Sequence, residues 1–169
     1  MQSPIACDLL IVGGEGDLAL RKLYPALYSL WVSKCLPTDF RIFAVSRRQT
    51  PQSEFLTQVR TWFDTSKSAQ QFDEAAWRDF TSKLTFHSLD ATSGEALAAL
   101  REQSLTDSER HLVVYLATPP TIFGPVCEAI KLAGLVRPNT RIVVEKPLGA
   151  DRESFLEINS QLTGIFEER

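Results

Sequence analysis

The chain has 169 residues, 44% of them hydrophobic, and a formal net charge of −3 at pH 7. That length supports one good hydrophobic core and is too short for two large domains, and the mild acidity excludes a protein built to coat nucleic acid, which needs clustered Lys and Arg. Met1 to Ala6 lack the charged start and apolar run of a secretory signal, and no apolar stretch approaches membrane-spanning length, so a cytoplasmic chain without membrane or nucleic-acid partners is expected.

Leu9 to Val12 form a continuous apolar run, the pattern of a strand covered on both faces. Gly13, Gly14 and Gly16 follow at once, and a helix follows them. Glycines let backbone approach a ligand closely, and the unpaired amides of a helix start favour an anion, so this turn is a candidate pyrophosphate cradle. The spacing matches neither Gly-x-Gly-x-x-Gly nor a P-loop, and an ordinary strand-to-helix turn without a ligand stays open.

Leu23, Leu27, Leu30 and Trp31 recur at helical spacing and predict an apolar face turned to the sheet, with Pro25 loosening the helix by withholding an amide. Phe40 to Val45 predict the second strand, which ends at Ser46-Arg47-Arg48. In dinucleotide domains an acid at that strand end bonds the ribose 2′-hydroxyl of NAD, whereas an Arg accepts the 2′-phosphate of NADP. Arg47, with Arg48 as a second contact, therefore marks a candidate phosphate clamp, the other reading being two solvated surface arginines.

A helix over Ser53 to Asp64 carries Phe55, Leu56, Val59, Trp62 and Phe63 on one face, and a second places Phe72, Ala76, Phe80 and Leu84 together. Thr85 to Leu89 predict a third strand with His87 half-exposed, and Thr92-Ser93-Gly94-Glu95 resembles a capping box opening a helix with Leu97 and Leu100. His111 to Ala117 are apolar enough for a central strand. The stiff Thr118-Pro119-Pro120-Thr121 loop leaves it at the edge of the glycine turn, where open α/β sheets bind ligands. A helix over Thr121 to Leu135 closed by Gly134, a strand over Arg141 to Glu145, Lys146-Pro147 at the same edge and a helix over Asp151 to Phe166 complete the chain. That last helix places Phe155, Ile158, Leu162 and Ile165 on one side.

Strand–helix alternation predicts an α/β fold, a doubly wound, mostly parallel Rossmann-type sheet with helices on both faces, as one domain over residues 1–169. Cys7, Cys35 and Cys127 are odd in number, widely spaced and without paired spacing, which predicts buried thiols in a reducing compartment and no metal site.

Three blocks, in order, resemble the glucose-6-phosphate dehydrogenase family: Gly16-Asp17-Leu18-Ala19 with Arg21-Lys22-Leu23-Tyr24-Pro25-Ala26-Leu27, Tyr115-Leu116-Ala117-Thr118-Pro119-Pro120, and Arg141 to Gly149 around Glu145-Lys146-Pro147. Together they span nearly the whole chain. The resemblance implies an N-terminal NADP-binding domain in which Gly13, Gly14, Glu15, Gly16, Asp17, Leu18, Ala19, Arg47, Tyr115, Pro119 and Lys146 contact the cofactor. Lys22 and Lys146 would contact glucose 6-phosphate. It implies hydride transfer from that sugar to NADP, yielding 6-phosphogluconolactone and NADPH in the oxidative pentose phosphate pathway, and a homo-oligomer at full length. The family's catalytic His and its sugar-phosphate stretch come after the Glu-Lys-Pro block and have no match here. No catalytic residue is therefore assigned, the C-terminal substrate domain is expected to be absent, and this piece is expected to bind NADP without turnover, glucose 6-phosphate needing the missing domain. Glu15 stands where the family often has Ser or Thr, and beside a pyrophosphate it would repel unless its side chain points outward. Two readings stay open beside this one: a free-standing NADP-binding or sensor module, and another sugar-phosphate or amino-acid dehydrogenase of related architecture.

Overall fold

The computed structural model describes residues 6–65, 72–145 and 152–166. Five strands, β1 (Cys7–Val12), β2 (Phe40–Ser46), β3 (Leu84–Ser88), β4 (His111–Leu116) and β5 (Thr140–Val144), form one sheet in the order β3-β2-β1-β4-β5. Every pairing is parallel, as expected from the alternation of strands and helices. Register sets Val12 level with Val45 on one side and with Leu116 on the other. The turns leaving β1, β2 and β4 therefore open side by side.

Helices cover both faces because side chains alternate across each strand. Leu10 and Val12 of β1 pack in the cluster that holds α4 (Gly94–Ser104), α5 (Phe123–Leu132) and α6 (Arg152–Thr163), through Leu97, Val126, Ile130 and Leu162. Leu9 and Ile11 face the other cluster, with α1 (Tyr24–Val32), α2 (Gln52–Asp64) and α3 (Glu74–Ser82). The uninterrupted apolar run of β1 thus supplies two cores at once.

The first helix differs from its predicted face. Tyr24 and Tyr28 are the buried stripe with Leu20, while Leu23 and Leu27 are half-buried and Leu30 is exposed. Each tyrosine carries its polar end to a partner: Tyr24 donates to the Gly14 carbonyl at 2.8 Å, and Tyr28 packs edge-on to Phe63 and Phe80 with its hydroxyl at the Asp73 backbone. A π-helical turn, Ala19–Leu23, leads into α1, closed by the Tyr24 amide on the Ala19 carbonyl, so the loosening expected at Pro25 takes the form of a widened turn just before it.

Other boundaries also move. Leu84 lies in β3 and Trp77 takes its place on the buried face of α3. The cap of α4 is Ser93, whose hydroxyl accepts from the Ala96 amide, whereas Thr92 bonds Asp90. Pro120–Ile122 form a 3-10 turn before α5, because two successive prolines supply no amides to an α-helical first turn. Only Cys127 is buried; Cys7 is half-buried and Cys35 exposed, correcting the expectation of three buried thiols. Lys146, Pro147 and Asp151 lie outside the described residues.

At the edge of the sheet opposite the glycine turn, Asp8 is 2% exposed and accepts two hydrogen bonds from Arg41, at 2.8 and 2.6 Å, and one from Arg110 at 2.8 Å. Arg110 also pairs with Asp39, holding that carboxyl below the usual range.

Candidate functional site

The three adjacent turns enclose a cleft of about 480 Å³ at the carboxyl ends of β1, β2 and β4. Its walls include Gly13, Glu15 and Gly16 from the first turn, Ser46, Arg47 and Arg48 from the second, Asp90 and Thr92 beyond β3, and Thr118 and Pro119 beyond β4. Strand order reverses about β1, so this is the switch point where open parallel sheets bind ligands.

Gly13 has φ +85°, and a Cβ there would sit 2.6 Å from the Ala117 carbonyl oxygen, so both conformation and the close pass of the β4 turn require glycine. At Gly14 a Cβ would meet the Ala44 side chain at 2.7 Å. Gly13 and Gly14 donate their amides to the Val45 carbonyl, and Gly16 donates to Gly13. These glycine amides serve the turn itself, which leaves anion binding to the first-turn amides of the helix that follows.

Arg47 and Arg48 are exposed, and among the described residues neither guanidinium has a hydrogen bond or ion pair. Two free forks at a strand end beside a glycine turn suit a phosphate. Asp90 shares this rim; the Thr92 amide and hydroxyl hold its carboxyl below the usual range, and the charge of Arg47 adds to that.

Glu15 does not point outward. It is 7% exposed, its Oε1 accepts a 2.7 Å hydrogen bond from the Thr50 hydroxyl, and its buried Oε2 has no partner. The adjacent Tyr24 phenol is pushed well up, first by burial and then by this carboxylate. Thr118 Oγ1, also buried without a partner, is a second unanswered group in the cleft. Neither Thr118 nor Asp90 was predicted; the loop after β4 announced itself through its prolines, and nothing in the sequence aims Asp90 toward Arg47.

Among the described residues, the remaining predicted ones do not line this cleft. Asp17 is exposed and pairs with Arg21 at 3.3 Å, Leu18 is half-buried, and Ala19 is fully buried in the core, so Ala19 offers a ligand only backbone. Lys22 is exposed on the π-helical turn. Tyr115 points to the other side of β4 and donates to Glu145 just past β5; burial first, and then that hydrogen bond, push its phenol up to about 12. Of the two histidines, His111 begins β4 at the opposite edge of the sheet, and His87 sits half-buried in β3, its Nε2 buried without a partner, with burial lowering its pKa.

No helix of the described residues is long and apolar enough to cross a membrane. A family model described as "Glucose-6-phosphate dehydrogenase, NAD binding domain" matches residues 10–169. Similar curated proteins include glucose-6-phosphate 1-dehydrogenase of Dickeya dadantii, 36% identical over 96% of this chain and 33% of the relative, and that of Rhizobium meliloti, 35% identical over 95% and 33%. Among solved structures, the glucose-6-phosphate 1-dehydrogenase of Mycobacterium avium superposes with a TM-score of 0.86 at 28% identity, over 96% of this chain and 34% of that one. A glucose-6-phosphate dehydrogenase in complex with its substrate glucose 6-phosphate gives 0.83 at 27% identity, over 99% and 36%. The chain spans about a third of the length of the relatives it matches.

Proposed function

Since the chain belongs to the family of the glucose-6-phosphate dehydrogenase NAD-binding domain, we propose that it holds NADP in the cleft at the ends of β1, β2 and β4, as the cofactor-binding part of a glucose-6-phosphate 1-dehydrogenase. The observation that carries this reading is the convergence of the glycine turn with two uncommitted guanidinium groups on one cleft at the switch point. The turn after β1 would hold the pyrophosphate, the first helical amides answering its charge. Arg47 would hold the 2′-phosphate, and Arg48 would add a second positive charge. Pro119 and Thr118 bound the cleft on the β4 side, toward the nicotinamide half.

Bound here in the complete enzyme, NADP would supply the hydride acceptor for oxidation of glucose 6-phosphate at C1 to 6-phosphogluconolactone. This domain contributes orientation, holding the ring where the sugar can meet it. Lys22 and Lys146 contact the sugar phosphate, and the base that takes the hydroxyl proton comes from a domain beyond residues 1–169, since neither His87 nor His111 stands at the cleft. Val143, Phe155 and Leu156 are exposed apolar side chains, which favours this reading over a free-standing binding module, because further protein would cover them. The setting is cytoplasmic, in the oxidative pentose phosphate pathway, and the full-length protein is a homo-oligomer.

Calorimetric titration of the 169-residue chain with NADP and NAD, beside an Arg47→Ala variant, tests the proposal. NADP binding that weakens at least tenfold in the variant supports it, by the loss of a charge-assisted contact worth about 1.5–3 kcal/mol. Wild-type affinity for NADP in the variant would remove Arg47 from the site, and no binding of either dinucleotide would reduce the glycine turn to a turn.

A further inference from the structure

β3 is the outermost strand on the β2 side of the sheet, so one row of its backbone groups has no strand to pair with. The Lys83 carbonyl accepts from the Ile42 amide and the Leu89 amide donates to the Ser46 carbonyl, which turns the odd-numbered residues of β3 toward β2. In a parallel strand alternate residues face opposite neighbours, so Leu84 and Phe86 present their backbone groups to the open edge. One side chain meets both. The Gln52 carboxamide donates to the Leu84 carbonyl at 2.8 Å and accepts from the Phe86 amide at 2.8 Å, the two-point pairing that a neighbouring strand's backbone would make. Gln52 is itself exposed, so these bonds and not packing fix its side chain.

Gln52 opens α2 and closes the segment 47–51, which leaves β2 at the cleft. β3 holds that segment a second time, because the Ser88 hydroxyl donates to the Arg48 carbonyl at 2.6 Å. The segment is thus tied to β3 on both sides of Thr50, which donates to Glu15. The two guanidinium groups it carries have no hydrogen bond or ion pair among the described residues. Ordering a loop on binding costs free energy, and a loop already ordered escapes that cost.

We propose that Gln52 and Ser88 are positioning residues: bonded to β3, they fix the segment that presents Arg47 and Arg48, so that the guanidinium groups stand ready for the 2′-phosphate of NADP. The inference rests on the cleft being the NADP site. Neither residue lines that cleft, and each acts through the backbone of the segment it holds.

The test is calorimetric titration with NADP of the 169-residue chain, of Gln52→Met, Ser88→Ala and Arg47→Ala variants, and of the first two substitutions each combined with Arg47→Ala. Gln52→Met keeps the length of the side chain and removes both hydrogen bonds, and Ser88→Ala cuts the second tie independently. Both positions are exposed, so neither substitution opens a cavity. Each single variant is expected to bind NADP about fivefold more weakly. Each substitution is expected to change affinity by less than about twofold once Arg47 is alanine. That coupling separates positioning from general support of the fold, which would weaken binding equally in both backgrounds. An affinity within about twofold of wild type in either single variant overturns the role of that residue. Equal losses with and without Arg47 overturn the proposal for both. Wild-type NADP affinity in Arg47→Ala removes the arginine from the site and this inference with it, and no NADP binding by the wild type overturns the cleft itself.

Discussion

Asp8 accepts from Arg41 and Arg110 at the edge of the sheet far from the cleft, and Arg110 is itself only 8% exposed. Removing one member of such a buried set leaves a charge without its counter-ion, which costs more than the pair contributes when intact. Asp8→Asn should therefore lower unfolding stability by about 3–5 kcal/mol, read from urea denaturation at pH 7. A loss below about 1 kcal/mol would mean that the set behaves as a surface network. In the sequence Asp8 is a single acid at the start of an apolar strand and carries no local signal; its partners lie 33 and 102 residues away. Arg47 was legible by contrast, since its position at a strand end depends only on where β2 stops.

Among the elements, the existence of strands and helices follows from periodicity, while boundaries, caps and the buried face of α1 do not. In α1 the leucines suggested the stripe, yet Tyr24 and Tyr28 occupy it. A ring buries more apolar area than a leucine and is tolerated inside when its hydroxyl finds a partner, which the pattern of apolar letters does not register. The cap of α4 shifted by one residue for a similar reason, Thr92 being engaged by Asp90 and leaving Ser93 to serve the helix. Ser93→Ala should cost about 1 kcal/mol with helix content and NADP affinity unchanged, whereas Thr92→Ala should spare the helix. Equal losses in both variants would return the cap to the predicted box.

Across the whole molecule, the cleft is built by turns that are far apart in the chain and level only because the strands register flush at Val12, Val45 and Leu116. A ligand that bridges those turns ties the two halves of the sheet and stabilises the fold by mass action. NADP at one hundred times its dissociation constant should add about 2.7 kcal/mol to unfolding stability, visible as a raised thermal midpoint. Arg47→Ala should lose about half of that increment or more at the same NADP concentration. A midpoint indifferent to NADP in the wild type would count against the cleft as its site.

The alternation of strands and helices, the glycine turn, the arginines at the end of β2 and the family blocks are local or periodic properties, legible along the chain: they were enough for a parallel α/β sheet, for the edge at which its turns gather, and for membership of a dinucleotide-dehydrogenase family. Groups whose meaning depends on a distant partner take it from the fold. Along the chain Glu15 is a charge that repels a pyrophosphate unless it turns outward; in the fold it is buried against Thr50, 35 residues away. Asp90 and Thr118 joined the cleft for the same reason, because burial and unanswered hydrogen-bonding capacity belong to the arrangement of neighbours, which spacing along one segment does not encode.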